Sequence, residues 1–176
     1  DLRSDGSRLV DWIKQFHPQV SELEENTLAG LPDDRDANGP TIISSSTLEV
    51  VTSWFDDMTI HDLRRRLRPN IEVDGVPAFW EDRLFDNQLP FSIGNVQFNG
   101  TNPCQRCVVP TRCPDSGEVL PDFTAIIREN RLKHFPEWSD SSRFDHYYKL
   151  ATNTKLADNC MGGNISLGDE IVLASN

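Results

Sequence analysis

No run of apolar residues in the 176-residue chain approaches the roughly 18 that a membrane-spanning helix needs, and no secretory signal core is visible. Cysteine is scarce: four thiols are too few for a disulfide scaffold, which favours a reducing, cytoplasmic setting and a reactive or metal-bound use of those present. Positive charge is also scarce. With 17 basic against 28 acidic side chains the formal charge is −11, a field that argues against a nucleic-acid partner. Internal repeats, low-complexity tracts and strands alternating with long helices are all missing, so neither a solenoid nor a doubly wound parallel sheet is expected.

What is present describes a turn-rich globular chain. Hydrophobic residues make up 37% and charged residues 26%, with 11 prolines and 10 glycines as punctuation. A chain of this length forms one domain that buries roughly 70% of its unfolded surface. Leu9 to Ile13 is the one apolar segment before residue 40, and the acidic stretch from Leu31 to Pro40 reads as a loop. Thr41 to Ile43 predicts a short strand. Ser46 with Glu49 forms a capping-box pattern that predicts a helix to about Met58, and Thr59 with Asp62 a second one that Pro69 ends. That second segment, His61-Asp62-Leu63-Arg64-Arg65-Arg66-Leu67-Arg68, carries four arginines within five residues.

Beyond Pro69 the period changes from helical to alternating, with an Asp-Gly turn at Asp74-Gly75. Strands are predicted in Asn70 to Val76, around Gly94-Asn95 between Phe91 and Phe98, and at Cys107-Val108-Val109. Two more are predicted around Gly168-Asp169 between Asn164 and Leu173, and Pro121 to Asn130 predicts a helix with Phe123, Ile126 and Ile127 inward. The expected fold class is therefore mainly β, barrel-like, with short strands and a few short flanking helices.

Three of the four cysteines fall in Asn102-Pro103-Cys104-Gln105-Arg106-Cys107-Val108-Val109-Pro110-Thr111-Arg112-Cys113. The Cys104-x-x-Cys107 pair is half of a zinc site, but only Cys113 and the distant Cys160 could complete it, and no histidine pair assists. A thiol-redox motif needs a helix start after the first cysteine, whereas this pair runs into Val108-Val109-Pro110. Burial as small hydrophobes suits Cys160 better than a segment with Arg106 between two thiols. A further reading is one thiolate ligand to a soft transition metal, supported by neighbouring cations and hydrogen-bond donors.

Taken in order, Arg68-Pro69-Asn70-Ile71, Ala78-Phe79-Trp80-Glu81-Asp82, Ile93-Gly94, Cys104-Gln105-Arg106-Cys107, Pro114-Asp115-Ser116-Gly117, Gly163-Asn164-Ile165 and Gly168-Asp169 resemble the MOSC domain. This domain is found in molybdenum-cofactor sulfurases and in the amidoxime reducing component, and the chain is most similar to the bacterial relatives of the latter. The resemblance implies a MOSC domain over residues 36–176, with residues 1–35 as the remnant of an N-terminal β-rich segment or a linker. The start at Asp1 fits a fragment or a processed product.

By motif position the resemblance makes Cys107 the molybdenum ligand and main catalytic residue, with Cys104 beside it. Arg68 and Asn70 would contact the molybdenum cofactor, a molybdopterin, and Arg64, Arg65 and Arg66 would lie at the surface. Tyr147 matches a cofactor-contacting tyrosine, and Asp36 a catalytic aspartate near the metal. Cys113 departs from the family, which carries an acidic residue there, and its thiol could serve sulfur transfer. The implied function is an oxidoreductase that reduces small-molecule N-hydroxylated substrates with electrons from a ferredoxin- or cytochrome-type redox partner. Two alternatives stand beside it: a sulfur or cofactor carrier holding a persulfide, and a structural domain with a degenerate site.

Overall fold

A computed structural model of the chain describes residues 2–25, 36–86, 90–157 and 163–174. Two units divide the chain, Asp1–Gly30 and Leu31–Asn176. The first carries helix α1 (Leu2–Lys14), with Asp5 in its first turn and Lys14 in its last, the charge order that complements a helix dipole. Trp12 and Phe16, one turn apart, meet edge to face at 5.2 Å.

In the second unit the elements are β1 (Ile42–Ser44), α2 (Ser45–Thr52), α3 (Ile60–Leu67), β2 (Ile71–Val73), α4 (Arg83–Asp86), β3 (Pro90–Ile93), β4 (Val96–Gln105), α5 (Phe123–Lys133), β5 (Lys149–Leu156) and β6 (Ile171–Leu173). The strands form one curled, half-barrel sheet in the order β2-β1-β5-β4-β3-β6. Only the β1–β2 pair is parallel; the other neighbours are antiparallel. The mainly β, barrel-like expectation is met.

Both faces of the sheet are covered. Ile42 and Ile43 are each fully buried yet belong to different clusters, as the two-residue period of a strand requires. Ile43 joins Leu48, Val51, Leu63, Leu67, Phe123 and Ile127, whereas Ile42 joins Leu84, Phe91, Val96 and Phe98. At Gly100 a Cβ atom would lie 2.1 Å from the Leu84 carbonyl oxygen, so β4 passes α4 at a separation only glycine permits.

Local signals were partly displaced by tertiary competition. The Thr59–Asp62 capping box opens α3 as expected, and Arg68, in the left-handed region at φ 52°, closes it just before Pro69. The first helix departs from expectation. Ser44 rather than Ser46 accepts from the Thr47 N–H, while the Ser46 hydroxyl donates to the Val76 carbonyl at 2.7 Å. That helix also ends at Thr52 rather than near Met58, where the Ser53 hydroxyl donates to the Val50 carbonyl at 2.6 Å.

The hairpin around Gly94-Asn95 is present, with Ile93 opposite Val96 and Gly94 at φ +55°. Cys107-Val108-Val109, expected as strand, is not one. β4 stops at Gln105, and a 3₁₀ turn over Val109–Thr111 sends the Val108 and Val109 carbonyls to the Thr111 and Arg112 N–H groups instead of across the sheet. Helix α5 starts two residues after Pro121 and continues past Asn130 to Lys133. Of the two strands expected after Asn164 only β6 forms among the described residues, because Ser166 and Asp169 bond to each other in a tight turn.

Candidate functional site

One cavity of about 910 Å³ opens in the second unit, between the C-terminal end of α3, the distal half of β4 and the start of β5. Its lining includes Arg66, Arg68, Arg106, Arg143 and Lys149 and, among the described residues, not one carboxylate. On a chain of formal charge −11 this is a local reversal of sign, suited to an anionic ligand.

The arginine run divides over this geometry. Arg64 grips Glu72 on β2 at 2.6 and 2.8 Å, and Arg65 grips Asp115 at 2.7 and 2.8 Å; both pairs are bidentate and tie α3 to neighbouring segments. The other two line the cavity. Arg68 is exposed, and its side chain makes no hydrogen bond or ion pair among the described residues. Arg66 donates to the Pro110 carbonyl at 3.0 Å and lies over the Phe123 ring, but its Nε is buried without a partner.

Cys104 and Cys107 both line the cavity, and neither is in a disulfide. Cys104 is half-buried on β4, where the Arg106 guanidinium donates to its Sγ at 3.0 Å; a second Arg106 nitrogen donates to the Leu67 carbonyl. The Arg106 Nε is a second buried donor left unfilled. Cys107 is exposed on the loop beyond the strand, and the Tyr148 hydroxyl donates to its carbonyl at 3.2 Å. Burial pushes the Tyr148 phenol up, so it stays the protonated donor that this bond needs.

Asn70 lines the cavity while its side-chain oxygen accepts from the Thr41 N–H at 2.9 Å and the Thr41 hydroxyl at 3.0 Å, clamping the entry of β1 to that of β2. Asp36 is exposed just before Ala37 and Gly39, which line the cavity themselves. Tyr147 lies outside it, half-buried between Phe135 and Phe144 at 5.5 and 5.9 Å between ring centres. Cys113 is also outside, in the Cys113–Gly117 turn, where the Ser116 hydroxyl holds its thiol below the ordinary range. Cys160 lies outside the described residues. Among those described, no group of three or more His, Cys, Asp or Glu side chains could hold a metal ion.

The structure adds residues that sequence reasoning passed over. The sequence reading puts Arg66 at the surface and singles out none of Arg143, Lys149, Asn102, Asn153 and Tyr148. Only Arg106 carried a signal, as a cation between two thiols.

For a phosphate-bearing molybdopterin the donor set fits: Arg66, Arg106, an unengaged Arg68 and an exposed soft thiol line one cavity. No helix among the described residues is long and apolar enough to cross a membrane.

The MOSC domain family profile matches residues 41–172. The chain is 32% identical over 124 residues to mitochondrial amidoxime reducing component 2 of Bos taurus, covering 67% of this chain and 34% of the relative. It is also similar to the molybdenum cofactor sulfurase of Caenorhabditis briggsae, at 35% over 77 residues, covering 44% of this chain and 10% of that protein. To the Caenorhabditis elegans protein of the same name it is 24% identical over 147 residues, covering 75% and 20%. The chain thus spans about a third or less of the length of these relatives. With the profile covering most of its residues, and the cavity's cations and both its cysteines within the matched span, the chain belongs to the MOSC domain family.

Proposed function

We propose that the cavity binds the molybdenum cofactor and that the chain reduces small N-hydroxylated compounds, receiving electrons from a ferredoxin- or cytochrome-type partner. The observation that carries this reading is the exposed Cys107 thiol at a cavity lined, among the described residues, by five cationic side chains and no carboxylate. Arg66, Arg68 and Arg106 would neutralise the cofactor phosphate, and the Cys107 thiolate would be the protein ligand to molybdenum. When bound, the cofactor supplies a soft metal centre able to take up oxygen and electrons. The chain's own contribution is placement. Tyr148 holds the Cys107 carbonyl, and Arg106 fixes Cys104 and the end of α3, so the loop that presents Cys107 is tied at both flanks.

A second reading, carriage of sulfur or cofactor to another enzyme, is supported by the two relatives named as sulfurases and by the contact of Arg106 with the Cys104 sulfur. In that case a persulfide would be visible by intact mass after incubation with a cysteine desulfurase.

The deciding measurement is metal and pterin content after purification from a cofactor-competent host. Near-stoichiometric molybdenum and pterin are expected in the natural chain, with molybdenum lost in Cys107→Ala and retained in Cys104→Ala. Molybdenum held equally by Cys107→Ala would remove the ligand role.

A further inference from the structure

We propose that Asn102 and Asn153 form a reading edge within the cavity for a nitrogen heterocycle of the 2-amino-4-oxo class, the head group of a pterin. This assignment rests on the cofactor reading above and names the residues that would recognise the uncharged half of the ligand.

The argument begins with a broken strand. In a regular strand alternate residues face the same side, so consecutive positions do not share one cavity. Yet Asn102, Pro103, Cys104 and Gln105, the last four residues of β4, all line this one. The cause is in the pairing with β5, whose register slips between Gly100 and Asn102 and again between Pro103 and Gln105. Such irregularities re-aim side chains and terminate pairing, and they concentrate beside binding sites.

At the first slip Asn102 stands directly opposite Asn153, and both line the cavity. The Thr101 hydroxyl stands between them, its one proton within reach of the Asn102 side-chain oxygen at 3.1 Å and the Asn153 backbone oxygen at 3.0 Å. That leaves the Asn102 amide NH₂ without a partner among the described residues. The Asn153 side chain is half-buried, and neither its oxygen nor its nitrogen has a partner there. A side-chain amide offers two donors and one acceptor in a plane, a pattern that complements adjacent donor and acceptor atoms on the edge of a flat heterocycle. Cations would hold a phosphate regardless of what it is attached to, whereas these neutral amides distinguish the ring. The cavity therefore divides by chemistry: arginines for the anion, a thiol for the metal and an amide pair for the heterocycle.

The test uses the full chain and 6-carboxypterin, a fluorescent anionic pterin, with 2-naphthoate as a flat anion of similar size lacking the hydrogen-bonding edge. The natural chain should bind 6-carboxypterin at least tenfold more tightly than 2-naphthoate. Asn102→Ala and Asn153→Ala should each weaken the pterin by about tenfold and leave 2-naphthoate unchanged, the effect of one unmade hydrogen-bonded contact. Equal binding of the two probes, or no pterin binding at millimolar concentration, overturns the proposal without any variant, so the outcome does not depend on the substitutions folding. Protein from the cofactor-competent host separates this proposal from the reading beneath it. If Asn102→Ala and Asn153→Ala retain molybdenum and pterin as fully as the natural chain, only the amide edge fails. If the natural chain carries neither, yet binds 6-carboxypterin through the asparagines, the edge stands and the cofactor reading fails.

Discussion

Glu81 is 1% exposed, and burial, with a smaller contribution from neighbouring Asp82, pushes its carboxyl up from the ordinary 4.5 to about 7. The Thr47 hydroxyl donates to it at 3.1 Å, which offsets only part of that cost. Its own backbone carbonyl accepts from the Thr152 hydroxyl of β5 at 2.6 Å, so the residue is held between α2 and β5. In the unfolded chain the carboxyl loses its proton near pH 4.5, while the folded chain keeps it until about 7. Between those values the native state binds more protons at this group, and the stability that Glu81 contributes falls as pH rises. The slope approaches about 1.4 kcal/mol per pH unit, and the loss from pH 4 to pH 8 totals about 3 kcal/mol. Glu81→Gln keeps the shape and removes the titration. Urea unfolding, followed by tryptophan fluorescence at pH 4.5, 6, 7 and 8, should show the variant gaining about 3 kcal/mol on the natural chain across the series. A difference between the two proteins that stays flat with pH would refute the buried, late-titrating carboxyl.

Asp82 is ion-paired to Arg131, and both are almost fully buried; the guanidinium also lies 4.0 Å from the centre of the Phe79 ring. Asp82→Ala leaves that cation uncompensated and should cost about 3–5 kcal/mol in urea unfolding. A loss below 1 kcal/mol would mean that the aromatic ring carries the charge alone. Tyr148→Phe deletes the bond to the Cys107 carbonyl and should cost about 1 kcal/mol in stability, while hydrogen exchange in the Cys107 loop rises. Unchanged exchange there would show that the loop is held elsewhere.

The two α3 termini were legible because each depends on residues within a few positions: a Thr-x-x-Asp box at one end, a proline after the other. The hairpin at Gly94-Asn95 was legible for the same reason. Harder cases were those where two local solutions compete. Ser44 and Ser46 are both competent caps, and the choice went to Ser44 because the Val76 carbonyl, thirty positions away, takes the Ser46 hydroxyl. The cysteine loop looked like strand from its valines, but a strand needs partners, and β5 pairing ends opposite Gln105.

The same division runs through the site. From the order of residues alone came the mainly β class, the singling out of the Cys104-x-x-Cys107 segment, which lines the cavity, and the family. Which of the four arginines meet the cavity was decided elsewhere, by Glu72 and Asp115, which engage Arg64 and Arg65 and leave Arg66 and Arg68 on its wall. The choice between adjacent tyrosines was made by their contacts just before β5: the Tyr148 hydroxyl bonds the Cys107 carbonyl, and Tyr147 packs among phenylalanines. Local patterns act over one turn or one pleat, so they are written in neighbouring residues. A cavity is made where distant strands lose register, and its lining is determined only when those strands meet.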